Sequence, residues 1–169
     1  HSFPTRRSSV LAISPPNHLE LESLFRGTRD THPFSRQAIE DDARYFFDAG
    51  VGHDGEGIVV VRCGEHGCMI LSRSQLEAEW FPAFYELGSP KIIDTTGAGN
   101  AFLGGFSAGL QTTRNPRDAA ILGSVAASFT LEQVGLPKFT PASWPDAEKW
   151  NDTEVSMRIL EFKNRMNTM

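Results

Sequence analysis

At 169 residues, 40% hydrophobic and 22% charged, the chain is long enough to close a domain around a core, and its composition is that of a globular protein. A formal net charge of −5 gives no electrostatic footprint for nucleic acid or for an anionic membrane. No apolar run is long enough to span a bilayer and nothing reads as a signal peptide, so a reducing, cytoplasmic setting is expected.

The first nine residues, HSFPTRRSS, resemble the translation of a sequencing-library adapter and are set apart from fold reasoning. The chain has no initiator Met. Residues 10–169 are therefore expected to be part of a longer protein. Val10 to Ser14 is short, apolar and followed by Pro15-Pro16, a strand leaving a sheet. Asn17 is placed to cap a helix from His18 to Arg26, with Leu21, Leu24 and Phe25 on one face and Gly27 as the stop. A polar loop from Thr28 to Phe34 follows. Ser35 then caps a helix through Asp48 whose inward residues are Ile39, Ala43, Phe46 and Phe47, and Gly50 and Gly52 end it.

After a turn at His53 to Gly57, the β-branched run Ile58 to Val61 has the pattern of a strand buried on both faces. Gly64 and Gly67 make a tight turn, and Cys68 to Leu71 returns as a hairpin. Cys63 and Cys68 read as reduced, half-buried thiols, with no ligand cluster around them to suggest zinc. In Ser72 to Ser89 the aromatic residues suggest a strand or a loop packed on the core. Lys91 to Asp94 reads as a further strand. Ala98 to Leu110 reads as a helix whose glycines permit close approach to the sheet. Asn115, Pro116 and Asp118 open the next helix, which buries the stripe Leu122, Val125, Ala126 and Phe129 and stops at Gly135. Pro137 to Pro145 is a loop. From Asp146 onward one or two helices carry the seam Val155, Ile159 and Phe162. Strands alternating with helices indicate a layered α/β fold with a mainly parallel sheet.

The most informative stretch is IIDTTGAGNAFLGGF, Ile92 to Phe106. A strand ending at Asp94 would stand at the carboxyl edge of a sheet, where open α/β folds bind ligands. Gly97 and Gly99 free the backbone and remove side chains, and small Ala98 keeps the approach open. The first amides of the following helix lack internal acceptors, so together with the dipole they suit a phosphate. The bland alternative is a glycine turn from strand to helix and nothing more.

The stretch Asp94-Thr95-Thr96-Gly97-Ala98-Gly99-Asn100 with Phe102 resembles the second signature of the pfkB, or ribokinase-like, carbohydrate kinases, usually DTxGAGD. Asn17-His18-Leu19-Glu20 is similar to that family's NxxE, and Gly64-Glu65-His66-Gly67 to its GxxG hairpin turn. The resemblance covers roughly Val10 to Leu136, the C-terminal portion of a family chain. It implies a three-layer, Rossmann-like α/β/α fold and transfer of a phosphoryl group from ATP to a sugar or nucleoside hydroxyl with Mg²⁺. By the same resemblance Gly97, Ala98 and Gly99 form the anion hole, and Asn17 and Glu20 organise Mg²⁺ through water. Gly64, Gly67 and Thr95 lie near the nucleotide, adenine near Ser124 to Ser128, and Asp94 with the Thr96 carbonyl near a monovalent cation such as K⁺. The tract GAGNAFLGG with ASFTLEQVGLP further resembles a fungal branch of the family associated with maintenance of killer virus particles.

Three departures stand out. The family's usual catalytic Asp is here Asn100, which keeps the shape but cannot accept a proton at neutral pH. Asp94, His66 and His53 are the other candidates for that proton, each with a more ordinary role in a loop or turn. Arg62 stands where a small Thr is usual, and either snorkels to the sheet edge or reaches a phosphate. The sugar-binding half is not in this chain. An impaired sugar kinase, a non-catalytic scaffold that keeps the fold, and an incomplete gene product therefore remain open. The sugar and the oligomeric state are not named by the sequence.

Overall fold

The structure, a computed structural model, describes residues 13–14, 17–26, 33–48, 50–52, 57–73, 75–144 and 146–168. The expectations for residues 1–12, for Pro15-Pro16, for the stop at Gly27 and the loop as far as His32, and for the turn at 53–56 lie outside these residues. The chain divides into two compact units, His1–Gly64 with Cys68–Trp80, and Glu65–Gly67 with Phe81–Met169. No helix among the described residues is long and apolar enough to cross a membrane.

The first unit holds β1 (Ile13–Ser14), α1 (His18–Arg26), α2 (Arg36–Asp48), β2 (Ile58–Arg62), β3 (Cys68–Ser72) and β4 (Gln75–Phe81, which ends at the unit's edge). The strands form one sheet in the order β1-β2-β3-β4. β1 runs parallel to β2, with Ile13 opposite Ile58, whereas β2 and β3 are antiparallel, with Val59 opposite Leu71 and Arg62 opposite Cys68. The expectation of a mainly parallel sheet is thus corrected. Only the β1–β2 link contains helices for a crossover, and the tight turn through Gly64 and Gly67 permits a hairpin alone.

Val59, Val61, Cys63, Met69 and Leu71 pack with Leu21 of α1 and with Ile39, Ala43 and Phe47 of α2. Val60 and Ile70 are buried as well, as the continuous apolar run requires. Both cysteines are fully buried free thiols, not half-buried. Leu24 is 55% exposed, so the inward face of α1 is the i, i+4 pair Leu21 and Phe25 without it. Ser35 caps α2 as its sequence suggests, its hydroxyl accepting from the Ala38 amide at 3.3 Å.

The second unit holds α3 (Ala98–Thr113), α4 (Pro116–Leu131), β5 (Phe139–Thr140), β6 (Lys149–Trp150) and α5 (Val155–Met166). Asn115 starts α4, its Oδ1 accepting from Arg117 N at 2.9 Å and Asp118 N at 3.4 Å. Gly105 and Gly109 of α3 approach α4, whereas Gly104 meets open space. A Cβ on Gly105 would lie 2.7 Å from both the Ala126 Cβ and the Leu122 carbonyl, and one on Gly123 would lie 2.9 Å from the Phe102 carbonyl. α4 buries Ala119, Ala120, Ile121, Ser124, Val125, Ser128 and Phe129; of the expected stripe Val125 and Phe129 are buried, whereas Leu122 and Ala126 are only half-buried. It ends at Leu131, short of Gly135, which adopts φ +90° in the loop beyond.

Lys91 to Asp94 is not a strand. Ile92 N bonds the Ser89 carbonyl in a turn, and the amides of Ile93 and Asp94 both donate to the Leu131 carbonyl, at 2.8 and 3.3 Å. No strand among the described residues lies beside this segment to complete a ladder, so the end of α4 takes its donors. After the loop beyond α4, β5 and β6 pair antiparallel with Phe139 opposite Trp150, in a region expected to be loop and helix. α5 then presents Val155, Ile159 and Phe162 to the core as expected, and the Phe162 ring stacks on Phe84 at 5.4 Å.

Candidate functional site

In the first unit, Asn17 and Glu20 form a reciprocal cap at the start of α1. Asn17 Oδ1 accepts from Glu20 N at 2.8 Å, and Glu20 Oε2 accepts from Asn17 N at 2.8 Å. The NxxE spacing therefore has a folding role of its own. Asn17 also forms an isolated bridge to Arg62, whose Nη2 lies 3.7 Å from Glu20 Oε2. Of the two courses open to Arg62, its guanidinium turns toward Glu20 at the end of β2. The Glu20 side chain is 60% exposed, so a carboxylate edge remains open to solvent. No group of three His, Cys, Asp or Glu side chains among the described residues could cage a metal. A hydrated Mg²⁺ held by one carboxylate and phosphate oxygens fits this donor set, whereas a fully protein-ligated ion does not. Burial pushes the Cys63 thiol up to about 12, against a smaller opposing effect of Arg36, so it is an inert core group.

The turn after β2 uses its two glycines differently. Gly64 adopts φ +57° with open space where a side chain would be. Gly67 adopts φ +87°, and a Cβ there would lie 1.9 Å from the Phe81 carbonyl, so close backbone passage alone requires glycine. His66 Nε2 lies 3.8 Å from Glu65 Oε1 within the same turn. His53 is outside the described residues.

In the second unit, Asp94 Oδ1 accepts from Thr96 N at 2.9 Å, which bends the chain into the glycine loop. That backbone bond, then the Thr96 hydroxyl, holds the Asp94 carboxyl below its usual range against slight desolvation. Gly97 occupies the N-cap position at φ +82°, and no side chain caps the helix. Ala98 N turns back to the Thr95 carbonyl at 3.2 Å, and the first full helical bond runs from Ala101 N to the Gly97 carbonyl at 2.9 Å. Gly99 and Asn100 therefore sit in the first turn, where amides lack intrahelical acceptors. Gly97 and Asn100 are exposed, while Ala98 and Gly99 are half-buried. Asn100 is the third residue inside α3, and the N-cap position belongs to Gly97. Ser124 and Ser128 are buried, and the Ser128 hydroxyl donates to the Val125 carbonyl at 2.6 Å and accepts from Arg158 Nη1 at 2.9 Å.

A polar cluster at the end of α4 escapes sequence reasoning. Arg158 Nη2 binds the two Glu132 oxygens at 2.6 and 2.8 Å, and its guanidinium lies 4.0 Å from the centre of the Phe129 ring. The Tyr85 hydroxyl donates to Glu132 Oε1 at 2.5 Å, and Asn151 Nδ2 to Glu132 Oε2 at 2.8 Å. Burial raises the Glu132 pKa, but the bonds from Tyr85 and Asn151 and the Arg158 charge outweigh it and hold the carboxylate below its usual range. The Tyr85 hydroxyl is held well above its ordinary value by burial and by its bond to Glu132. The only sequence signal was the unusual left-handed tolerance of Asn, here Asn151 at φ +46°.

A mixed α/β architecture with a glycine-led, uncapped helix start is an arrangement found in nucleotide-handling α/β proteins. The chain belongs to the pfkB family of carbohydrate kinases, whose profile it matches over residues 13–142. It is 32% identical to Protein MAK32 of Saccharomyces cerevisiae over 149 residues, which cover 86% of this chain and 39% of that protein. Among solved structures, ribokinase from Thermotoga maritima aligns with a TM-score of 0.59 at 24% identity, covering 92% of this chain and 43% of that one. Arabidopsis thaliana ribokinase complexed with ribose and ATP aligns with a TM-score of 0.59 at 19% identity, covering 87% of this chain and 40% of that one. These likenesses give the chain a ribokinase-like fold. The chain spans about two fifths of the length of these relatives.

Proposed function

We propose that the protein containing this chain binds ATP and transfers its terminal phosphoryl group to a hydroxyl of a sugar or nucleoside, at a rate limited by Asn100. The observation that carries this reading is the glycine-led start of α3 at Gly97 to Asn100, which no side chain caps, in a chain of the pfkB family. The amides of Gly97 and Gly99 would receive the anion whose charge develops during transfer, and small Ala98, whose own amide is taken by the Thr95 carbonyl, would keep the approach open. Asn17 and Glu20 would hold the water shell of Mg²⁺, which when bound neutralises phosphate charge. Gly64, Gly67 and Thr95 would border the nucleotide, and Asp94 with the Thr96 carbonyl would hold K⁺ or a similar ion.

The carboxamide of Asn100 does not take the acceptor hydroxyl's proton. That same residue favours a second reading, in which nucleotide is bound without transfer and the fold serves as a scaffold. The test uses the full-length protein with Mg-ATP and a panel of sugars and nucleosides. Slow transfer that rises by about 10²–10⁴-fold in Asn100→Asp supports the kinase. Mg-ATP binding with no transfer by either form supports the scaffold. Absence of nucleotide binding removes both.

A further inference from the structure

The last turn of an α-helix leaves its final carbonyls without amide partners, and something must satisfy them. In α4 the side chains beyond the helix do part of this. Phe129 O accepts from Gln133 Nε2 at 2.8 Å and from Asn151 Nδ2 at 2.9 Å, and Thr130 O accepts from Gln133 Nε2 at 3.3 Å. The Leu131 carbonyl goes instead to Ile93 N at 2.8 Å and Asp94 N at 3.3 Å. Thr95, Thr96 and Gly97 alone separate that anchor from the start of α3. Within this short path Asp94 Oδ1 fixes Thr96 N at 2.9 Å. The direction of one carbonyl thus sets where the glycine loop begins.

That direction depends on how the last turn of α4 is held, and it is held from outside the helix. Glu132, the next residue, is gripped by Arg158 of α5, by Tyr85 and by Asn151. Asn151 is itself fixed at φ +46° by two bonds to Lys138, its amide donating to Lys138 O at 2.8 Å and its Oδ1 accepting from Lys138 N at 2.9 Å. Its side chain therefore reaches α4 from the hydrogen-bonded β5–β6 pair. Arg158 is 5% exposed, so its grip on Glu132 is shielded from solvent competition.

We propose that Asn151 and Arg158 are positioning residues for the anion-receiving loop, acting through Glu132 and the Leu131 carbonyl on Asp94 to Gly97. This rests on the reading of Gly97 to Gly99 given under the proposed function. Asn151→Gly keeps the left-handed backbone and removes the amide, and Glu132→Gln keeps the shape and removes the charge. Ile121→Val, which loosens the core shared with Tyr85 and Phe129 without removing a hydrogen bond of the cluster, is the control.

The measurement is amide exchange in the full-length protein, paired with Mg-ATP affinity by calorimetry. In Asn151→Gly and Glu132→Gln the amides of Ile93 and Asp94 exchange roughly tenfold faster, the size expected for one net hydrogen bond, while those in the middle of α3 do not. Mg-ATP affinity falls in the same variants and holds in Ile121→Val. Exchange that accelerates equally everywhere, or not at Ile93 and Asp94, overturns the link. Faster exchange there with unchanged Mg-ATP affinity overturns the positioning role. Wild-type protein that binds no Mg-ATP overturns the functional reading and with it this role, and the exchange pattern then still reports whether the Leu131 link exists.

Discussion

The side chain of Asn17 and the side chain of Glu20 each accept a hydrogen bond from the other's backbone amide, both at 2.8 Å. A motif that would be credited only to metal and phosphate binding is therefore also the first turn of α1. Variants at these positions mix two effects, and the choice of replacement separates them. Glu20→Gln keeps an acceptor for the Asn17 amide and loses the charge. Its melting temperature stays close to wild type while Mg-dependent nucleotide affinity falls. Asn17→Ala breaks the cap and costs about 1 kcal/mol in urea unfolding.

Arg158 and Glu132 form the shielded ion pair of the second unit, with side chains 6% and 17% exposed. Removing one partner strands the other, so Arg158→Met is expected to cost about 3–5 kcal/mol, and Arg158→Met combined with Glu132→Leu about 1–4 kcal/mol less than that. A double-mutant cycle in urea checks this.

The same carboxylate gives a pH dependence of known sign. Its pKa is lowered on folding, so its contribution is present above the unfolded carboxyl range and is lost as pH falls through the lowered folded value. The groups facing it are Tyr85, Asn151 and Arg158, of which Tyr85 stays neutral and Arg158 charged over that range. Acid unfolding followed by circular dichroism should show a shallower limb in Glu132→Gln than in wild type.

Cys63 and Cys68 should react with a thiol reagent only on unfolding, since both are enclosed and the Cys63 thiol is pushed from 9.0 to about 12. A raised pKa works in the opposite direction to that of Glu132. The neutral thiol's contribution is intact below 9.0 and is lost as pH climbs toward about 12. Cys63→Ala removes that alkaline loss at the cost of a small cavity, read as a flatter stability curve above pH 9.0.

Gly105→Ala and Gly123→Ala place a methyl group 2.7 and 2.9 Å from backbone oxygens of the facing helix. Each is expected to cost about 1–3 kcal/mol by overpacking. Gly104→Ala, where a Cβ meets open space, should be neutral or slightly stabilising through helix propensity. Thermal unfolding of the three variants distinguishes a packing requirement from mere glycine content.

The elements with strong local signals were legible in the sequence. Asn17, Ser35 and Asn115 mark helix starts because a side-chain oxygen satisfies an amide within three residues, which is a purely local event. The β2–β3 hairpin followed from its glycines. What depends on distant partners was not legible. Lys91 to Asp94 has the composition of a strand, yet its donors belong to Leu131 far along the chain. Leu24 has the right residue type and the wrong angle. In the candidate site, the glycine loop could be read from its own residues. The Glu132 cluster could not, since Tyr85, Asn151 and Arg158 converge from separate segments that share no spacing.

The contact of α3 with α4 at Gly105 and Gly123 brings main chain close to main chain, with the Ala126 methyl and the Phe102 ring alongside. The start of α3 at Gly97 is thus joined to α4 by a seam that a single added methyl group would force apart.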